Sequence, residues 1–159
     1  MNEAGFDTEP LEMDLSSRKS ILSMIAKAKE YGDITMLVNA AGVSPSQASI
    51  EAILKVDLYG TAILLEEIGK VIAPGGVGVT ISSQSGHRMK QLTAEQDELL
   101  ARTPSEKLLS LEMLKPENIE NTLHAYQMAK RCNEKELWQK RSYGERKVHV
   151  STPFLRELL

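Results

Sequence analysis

The sequence predicts an α/β domain in which helices cover a parallel sheet. Three observations predict it. Ile34–Val38 is a short, wholly apolar run, and Val77–Ser82 is a second strand-like run. Long helical periods separate such runs. Polar turns, Asn39-Ala40-Ala41-Gly42 and Ser82-Ser83-Gln84-Ser85-Gly86, fall where the strands end. In parallel sheets the carboxyl ends of the strands carry the ligand site.

The elements follow in order. Residues 1–13 show no period and read as an irregular N-terminus. Asp14-Leu15-Ser16-Ser17 offers hydroxyl and carboxylate caps for a helix. Ile21, Leu22, Met24, Ile25 and Ala28 recur at helical spacing, and Gly32 ends that helix. Ile34–Val38 is expected to be a strand buried on both faces. A second helix is expected over Ser49–Ala73, with Ile50, Ile53, Leu54, Leu58, Leu65, Ile68 and Ile72 as its apolar stripe, and Pro74-Gly75-Gly76 stops it. His87–Lys115 interrupts the alternation as a polar, lid-like insert, in which Thr93 and Gln96 form a capping box and Ser105 starts a further short helix. Pro116 suits the first turn of a third long helix, running to about Tyr143. Lys147–Ser151 reads as a last strand, and 152–159 as a tail.

Composition narrows the function classes. With 42% hydrophobic and 26% charged residues, the chain of 159 residues is that of one globular domain. A net charge of -3 gives no electrostatic basis for nucleic-acid binding. The single cysteine, Cys132, permits neither an internal disulfide nor a cysteine metal site, which fits a cytoplasmic location. No apolar stretch has the length of a membrane helix, and the acidic Met1–Pro10 segment is not a signal peptide.

Tyr126 and Lys130 carry the chemistry. Four apart in a helix, they share a face. A tyrosine hydroxyl ordinarily titrates near pKa ~10, and a neighbouring positive charge favours its phenolate. The pair can therefore move a proton to or from an alcohol oxygen. The bland alternative is a half-buried ring beside a solvated amine. His87, near Ser83, invites a hydrolase reading, but no G-x-S-x-G elbow surrounds Ser83 or Ser85. His124 and His149 read as surface or packing residues, and Trp138 as an anchor of the third helix or an interface.

Taken together, these pieces resemble the short-chain dehydrogenase/reductase family, from Asp14 to about Val150. Asn39-Ala40-Ala41-Gly42 looks like its N-x-A-G turn, and Ile81–Gly86 like its serine strand end. Tyr126-Gln-Met-Ala-Lys130 matches Y-x-x-x-K, and Tyr143–Val150 resembles the stretch into its sixth strand. The resemblance implies an NAD(P)-dependent oxidoreductase that exchanges a hydride between NAD or NADP and a small-molecule alcohol or carbonyl. Tyr126 would be the general acid or base, Ser83 would bond the substrate oxygen, and Lys130 would lower the tyrosine pKa and hold the nicotinamide ribose. Asp57 would complete the catalytic set through a water-linked relay, in the position where most relatives carry Asn. Asp14 and Leu15 would lie near the adenine, and Asn39, Ala40 and Gly42 along the cofactor. The family's pairing of long helices implies a homo-dimer or homo-tetramer, with no nucleic-acid or membrane partner.

The departures are also informative. Nothing matches the family's T-G-x-x-x-G-x-G turn, and Gly5 is the only glycine before Gly32. The terminal region is also short, with Val150-Ser151 running directly into Thr152-Pro153. The expected architecture is thus a partial Rossmann-like, doubly wound parallel sheet lacking the first βαβ portion, a single incomplete domain over 1–159. Ile34–Val38 would then lie at a sheet edge. The competing expectation is a catalytically silent fragment that binds no cofactor and only self-associates through its long helices.

Overall fold

The computed structural model describes residues 2–5, 7–142 and 149–151, with side chains for 3–5 and 7–134. Ser17 caps helix α1 (Arg18–Lys29) by accepting the Ser20 N–H, and the helix buries Ile21 and Ile25. Ahead of it, Asn2–Ala4 forms one 3-10 turn where no element was expected.

Strands β1 (Met36–Asn39), β2 (Val77–Thr80) and β3 (His149–Ser151) form a three-stranded parallel sheet in the order β1-β2-β3. This is the partial Rossmann-like architecture the sequence predicts. The register pairs Asn39 with Thr80, so the first two strands end level. β1 stands at the edge, and it is not buried on both faces as expected. Leu37 packs on the helices, whereas Met36 and Val38 are 62% and 61% exposed on the opposite face. Among the described residues helices cover only the Leu37 face, so an apolar run that reads as doubly buried is here singly buried.

The helix expected over Ser49–Ala73 is three pieces in one continuous run. Ser49 accepts the Ala52 N–H at 3.2 Å and caps α2 (Ile50–Ile53). A π-helical segment, Leu54–Gly60, follows, and then α3 (Thr61–Val71). A π turn uses the same residue types as an α turn, so composition does not mark it; such segments are frequent at functional sites.

After β2 come α4 (Ser85–Arg88) and α5 (Ala94–Arg102), the latter with the expected Thr93–Gln96 capping box. Three 3-10 turns, Ser105–Ser110, Glu112–Leu114 and Pro116–Asn118, lead to α6 (Thr122–Ser142). Pro116 therefore opens a 3-10 turn and not the long helix, which starts six residues later. Asn121 accepts the His124 N–H at 2.9 Å, and the His124 ring accepts the Glu120 N–H at 3.2 Å. His124 is thus a capping residue. The last turn of the predicted helix at Tyr143, the start of the last strand at Lys147 and the 152–159 tail lie outside the described residues, as does the Trp138 side chain. No helix among the described residues is long and apolar enough to cross a membrane.

Two apolar clusters hold the layers. One joins Leu15, Ile21 and Ile25 to Ile63, Leu64, Ile68 and Ile72. The other joins Ile53, Leu54 and Leu58 to Ala125, Met128 and Cys132 of α6. Leu100, Leu108 and Leu114 lie in this second cluster at 0%, 0% and 1% exposure, so the 87–115 stretch contributes core side chains as well as surface. It also supplies a charge: Glu106 reaches Arg18 at 2.9 Å, and Arg18 in turn reaches Glu66 at 2.6 Å and Glu67 at 3.0 Å. These partly exposed pairs add less than the leucines, about 0–1 kcal/mol each. Leu108→Ala is expected to cost about 2–5 kcal/mol in urea unfolding, against under about 0.5 kcal/mol for Leu99→Ala, which is 43% exposed.

Candidate active site

Four segments converge at the carboxyl ends of β1 and β2. The loop after β1 contributes Asn39–Val43. The π segment contributes Asp57, the turn after β2 contributes Ile81–Gly86, and α6 contributes Tyr126, Lys130 and Asn133. Each junction has an identifiable bond. The Ile81 N–H donates to the Asn39 carbonyl at 2.9 Å, extending the β1–β2 ladder. Asn39 is buried, and its side-chain oxygen accepts the Ala41 N–H at 3.3 Å, which turns the chain. Ala40, Ala41 and Gly42 are exposed on that turn.

Asp57 is wholly buried. Its Oδ1 accepts the Val43 N–H at 2.8 Å, while Oδ2 has no hydrogen bond among the described residues. Gly42 lies directly over it: a Cβ there would stand 2.9 Å from Oδ1. Burial pushes the Asp57 carboxyl up from its ordinary range, and the Val43 N–H and the Lys130 charge pull it back only in part.

Lys130 is 8% exposed, and its ammonium donates to the Ile81 carbonyl at 3.4 Å. The same ammonium lies 5.3 Å from the centre of the Tyr126 ring. Burial pushes Lys130 down, and the Asp57 charge opposes that shift. Tyr126 is half-buried, with Lys130 one helical turn along the same face, as the spacing predicts.

Ser83 is half-buried two residues beyond the carbonyl that Lys130 holds. Its Oγ accepts the Ser85 N–H at 3.2 Å, which leaves its own O–H to donate. The serine turn lies flat on α6 because of Gly86, whose Cβ would come 3.0 Å from the Arg131 nitrogen and 3.2 Å from the Lys130 carbonyl carbon. Side chains around the turn tie it down further. His87 reaches Glu134 at 3.5 Å, and Arg131 binds Asp97 of α5 at 2.8 Å.

The structure does not gather every predicted residue. Asp14 accepts the Ser16 N–H and O–H at 2.9 and 2.7 Å, beside the start of α1. The Ser16 hydroxyl holds its carboxyl below the ordinary range. Leu15 is buried in the α1–α3 cluster. Neither belongs to the group around Lys130.

Sequence reading missed Asn133. Only 2% exposed, its Nδ2 donates to the Asp57 carbonyl at 2.9 Å. Its position was a signal: three residues past Lys130 and seven past Tyr126, it shares their helix face. Among the described residues no group of three His, Cys, Asp or Glu side chains could hold a metal ion.

The family model for enoyl-(acyl carrier protein) reductase matches residues 1–96. A short-chain dehydrogenase/reductase of Alternaria brassicicola is 34% identical over 134 residues, covering 84% of this chain and 48% of its own length. Carbonyl reductase (NADPH) 1 of Macaca fascicularis is 28% identical over 145 residues, covering 87% and 50%. The chain thus spans about half the length of the curated relatives it matches. Among solved structures, a 3-alpha-hydroxysteroid dehydrogenase from a Pseudomonas species, complexed with NADH, superposes with a TM-score of 0.71 at 18% identity, over 91% of this chain and 57% of that one. A short-chain dehydrogenase/reductase from Serratia marcescens gives 0.61 at 17%, over 92% and 58%. At these identities the structural likeness shows the fold.

Two predictions follow from this geometry. Gly86→Ala must separate the serine turn from the α6 backbone, and is expected to cost about 1–3 kcal/mol in denaturant unfolding. Gly69→Ala, inside α3 with open space around it, is expected to gain about 0.5–1 kcal/mol by helix propensity. The second prediction concerns pH. Asp57 titrates higher folded than unfolded, so stability from its protonated form is full below pH 3.8, the ordinary value, and is lost as pH rises through the folded value. The Lys130 charge limits that loss. Lys130→Met is therefore expected to extend the fall to higher pH, and adding Asp57→Asn to abolish it, in urea unfolding across roughly pH 4–8. A Lys130→Met deficit that does not vary with pH would contradict this.

Proposed function

We propose that this chain, which belongs to the short-chain dehydrogenase/reductase family, carries the proton-transfer half of an NAD(P)-dependent alcohol or carbonyl redox site. One observation carries the reading: the buried Lys130 ammonium lies over the Tyr126 ring and is fastened to the strand end that presents Ser83.

The donor set suits the nicotinamide end of NAD or NADP. A hydroxyl, a phenol and one ammonium match ribose hydroxyls and a substrate oxygen. The chain's sequence contains no glycine-rich turn of backbone amides for the pyrophosphate. When bound, the nicotinamide supplies or accepts the hydride.

The chain's own residues handle the proton. The Ser83 O–H donates to the substrate oxygen and orients it. Tyr126 gives a proton to that oxygen in reduction, or takes one in oxidation. Lys130, whose charged form burial disfavours and the Asp57 charge favours, stabilises negative charge developing on the phenol oxygen and offers its remaining donors to the ribose. Asp57 acts here through Lys130. Asn39 and Gly42 shape the backbone beside the cofactor, with Ala40 exposed between them, while Asp14 and Leu15 would lie toward its adenine. Homo-dimers or homo-tetramers are part of the same reading.

The test is titration with NADH and NADPH, followed by nicotinamide fluorescence and thermal shift. Saturable binding in roughly the micromolar range is expected to raise Tm at excess cofactor. Tyr126→Phe is expected to lower kcat about 100-fold or more on a carbonyl substrate while leaving cofactor affinity within a few-fold. Absence of any binding would leave a silent member of the family, with light scattering then reading whether it self-associates.

A further inference from the structure

We propose that Asn133 is a positioning residue: by holding the Asp57 carbonyl from α6, its side-chain amide fixes the π turn so that the Asp57 carboxylate stays beneath Gly42 and faces Lys130. Three observations carry this. Asn133 is 2% exposed, and its Nδ2 donates to the Asp57 backbone oxygen at 2.9 Å across 76 residues of sequence. Asp57 lies in the only π-helical segment among the described residues, where the backbone departs from its neighbours' α geometry. The Asp57 side chain is fixed from the other direction, by the Val43 N–H at 2.8 Å. The residue is therefore held at both ends, the carboxylate by the loop after β1 and the carbonyl by the helix that bears Tyr126 and Lys130.

The consequence reaches Lys130. The groups facing its ammonium are Asp57 from the π segment, the Ile81 carbonyl from the end of β2, and the Tyr126 ring from its own helix. Of the elements packed around α6, α5 spends Asp97 on Arg131, and α4 spends His87 on Glu134. Asp57 is thus the acidic group whose charge bears on Lys130, and Asn133 decides where that carboxyl stands. Removing the amide frees the π turn and lets the carboxylate move, so Lys130 holds its proton less firmly. The catalytic meaning of this rests on the function proposed above; the titration of Lys130 does not.

The experiment follows Lys130 by NMR in chain labelled with [13Cε]lysine, its signal assigned by loss in Lys130→Arg. No cofactor or turnover is needed, so a failure of the redox reading leaves the measurement intact. Asp57→Asn is expected to lower the Lys130 titration midpoint by about one unit or more. Asn133→Leu, similarly branched but without a donor, is expected to lower it by about half a unit or more. Asn133→Ser, which keeps a donor, is expected to fall between Asn133→Leu and the parent chain. Should the leucine variant not fold, Asn133→Ala provides the same comparison. A midpoint unchanged in the donor-less variant, whatever its stability, overturns the proposal by reducing Asn133 to packing. So does a midpoint unchanged in Asp57→Asn.

Discussion

A carboxyl and an amine, Asp57 and Lys130, are buried between the π segment and α6, and the geometry of the strand ends depends on them. Neither is comfortable alone. Burial drives the carboxyl toward its acid form and the amine toward its neutral form, and each partly restrains the other. A buried pair of this kind is seldom a net source of stability, because desolvation offsets the attraction, but deleting one member leaves the other stranded. Its value here is positional. The carboxylate accepts the Val43 N–H and the ammonium donates to the Ile81 carbonyl, so the loop after β1 is tied to the π segment and the end of β2 to α6.

That arrangement explains why an ordinary scaffold supports an uncommon local geometry. The α1–α3 cluster needs only aliphatic side chains at helical spacing, and it is indifferent to the polar cluster. The second cluster is different. Its apolar members on the π segment and α6, Leu54, Leu58, Met128 and Cys132, alternate with Asp57, Lys130 and Asn133. Packing there brings polar groups to buried positions, where each must find a partner or shift its titration. The leucines of 94–119 close this cluster from outside, which is how a stretch of polar composition becomes part of the interior.

Much of this was legible in the sequence, and the reasons differ from residue to residue. Tyr126 and Lys130 were found because a spacing of four has one meaning on a helix. Thr93 and Gln96 were found because a capping box is local. The turns that hold Asn39 and Ser83 were placed because polar turns follow apolar strands, while the choice of those two residues within them came from resemblance. The failures are also particular. Met36 and Val38 look like core in an apolar run, yet burial depends on what covers the opposite face, which no local pattern records. Pro116 is as suitable for a 3-10 turn as for a helix. Asp14 and Leu15 entered the site through resemblance alone, as neighbours of the adenine, and no local pattern records that role. Asn133 escaped notice because its partner is a backbone carbonyl 76 residues away, with no side-chain type to pair it to.

The π segment makes the assembly sensitive to length as well as to identity. A π turn holds more residues than an α turn for nearly the same advance along the axis. Loss of a single residue from Leu54–Gly60 would let that stretch relax to an α turn with the helices on either side still in place, turning only the residues within it, Asp57 among them, away from their present neighbours. Every recognisable motif on either side would survive such a deletion, letter for letter. In comparing descendants of this chain, a one-residue gap in that window is therefore a more telling sign of lost chemistry than many substitutions on the surface.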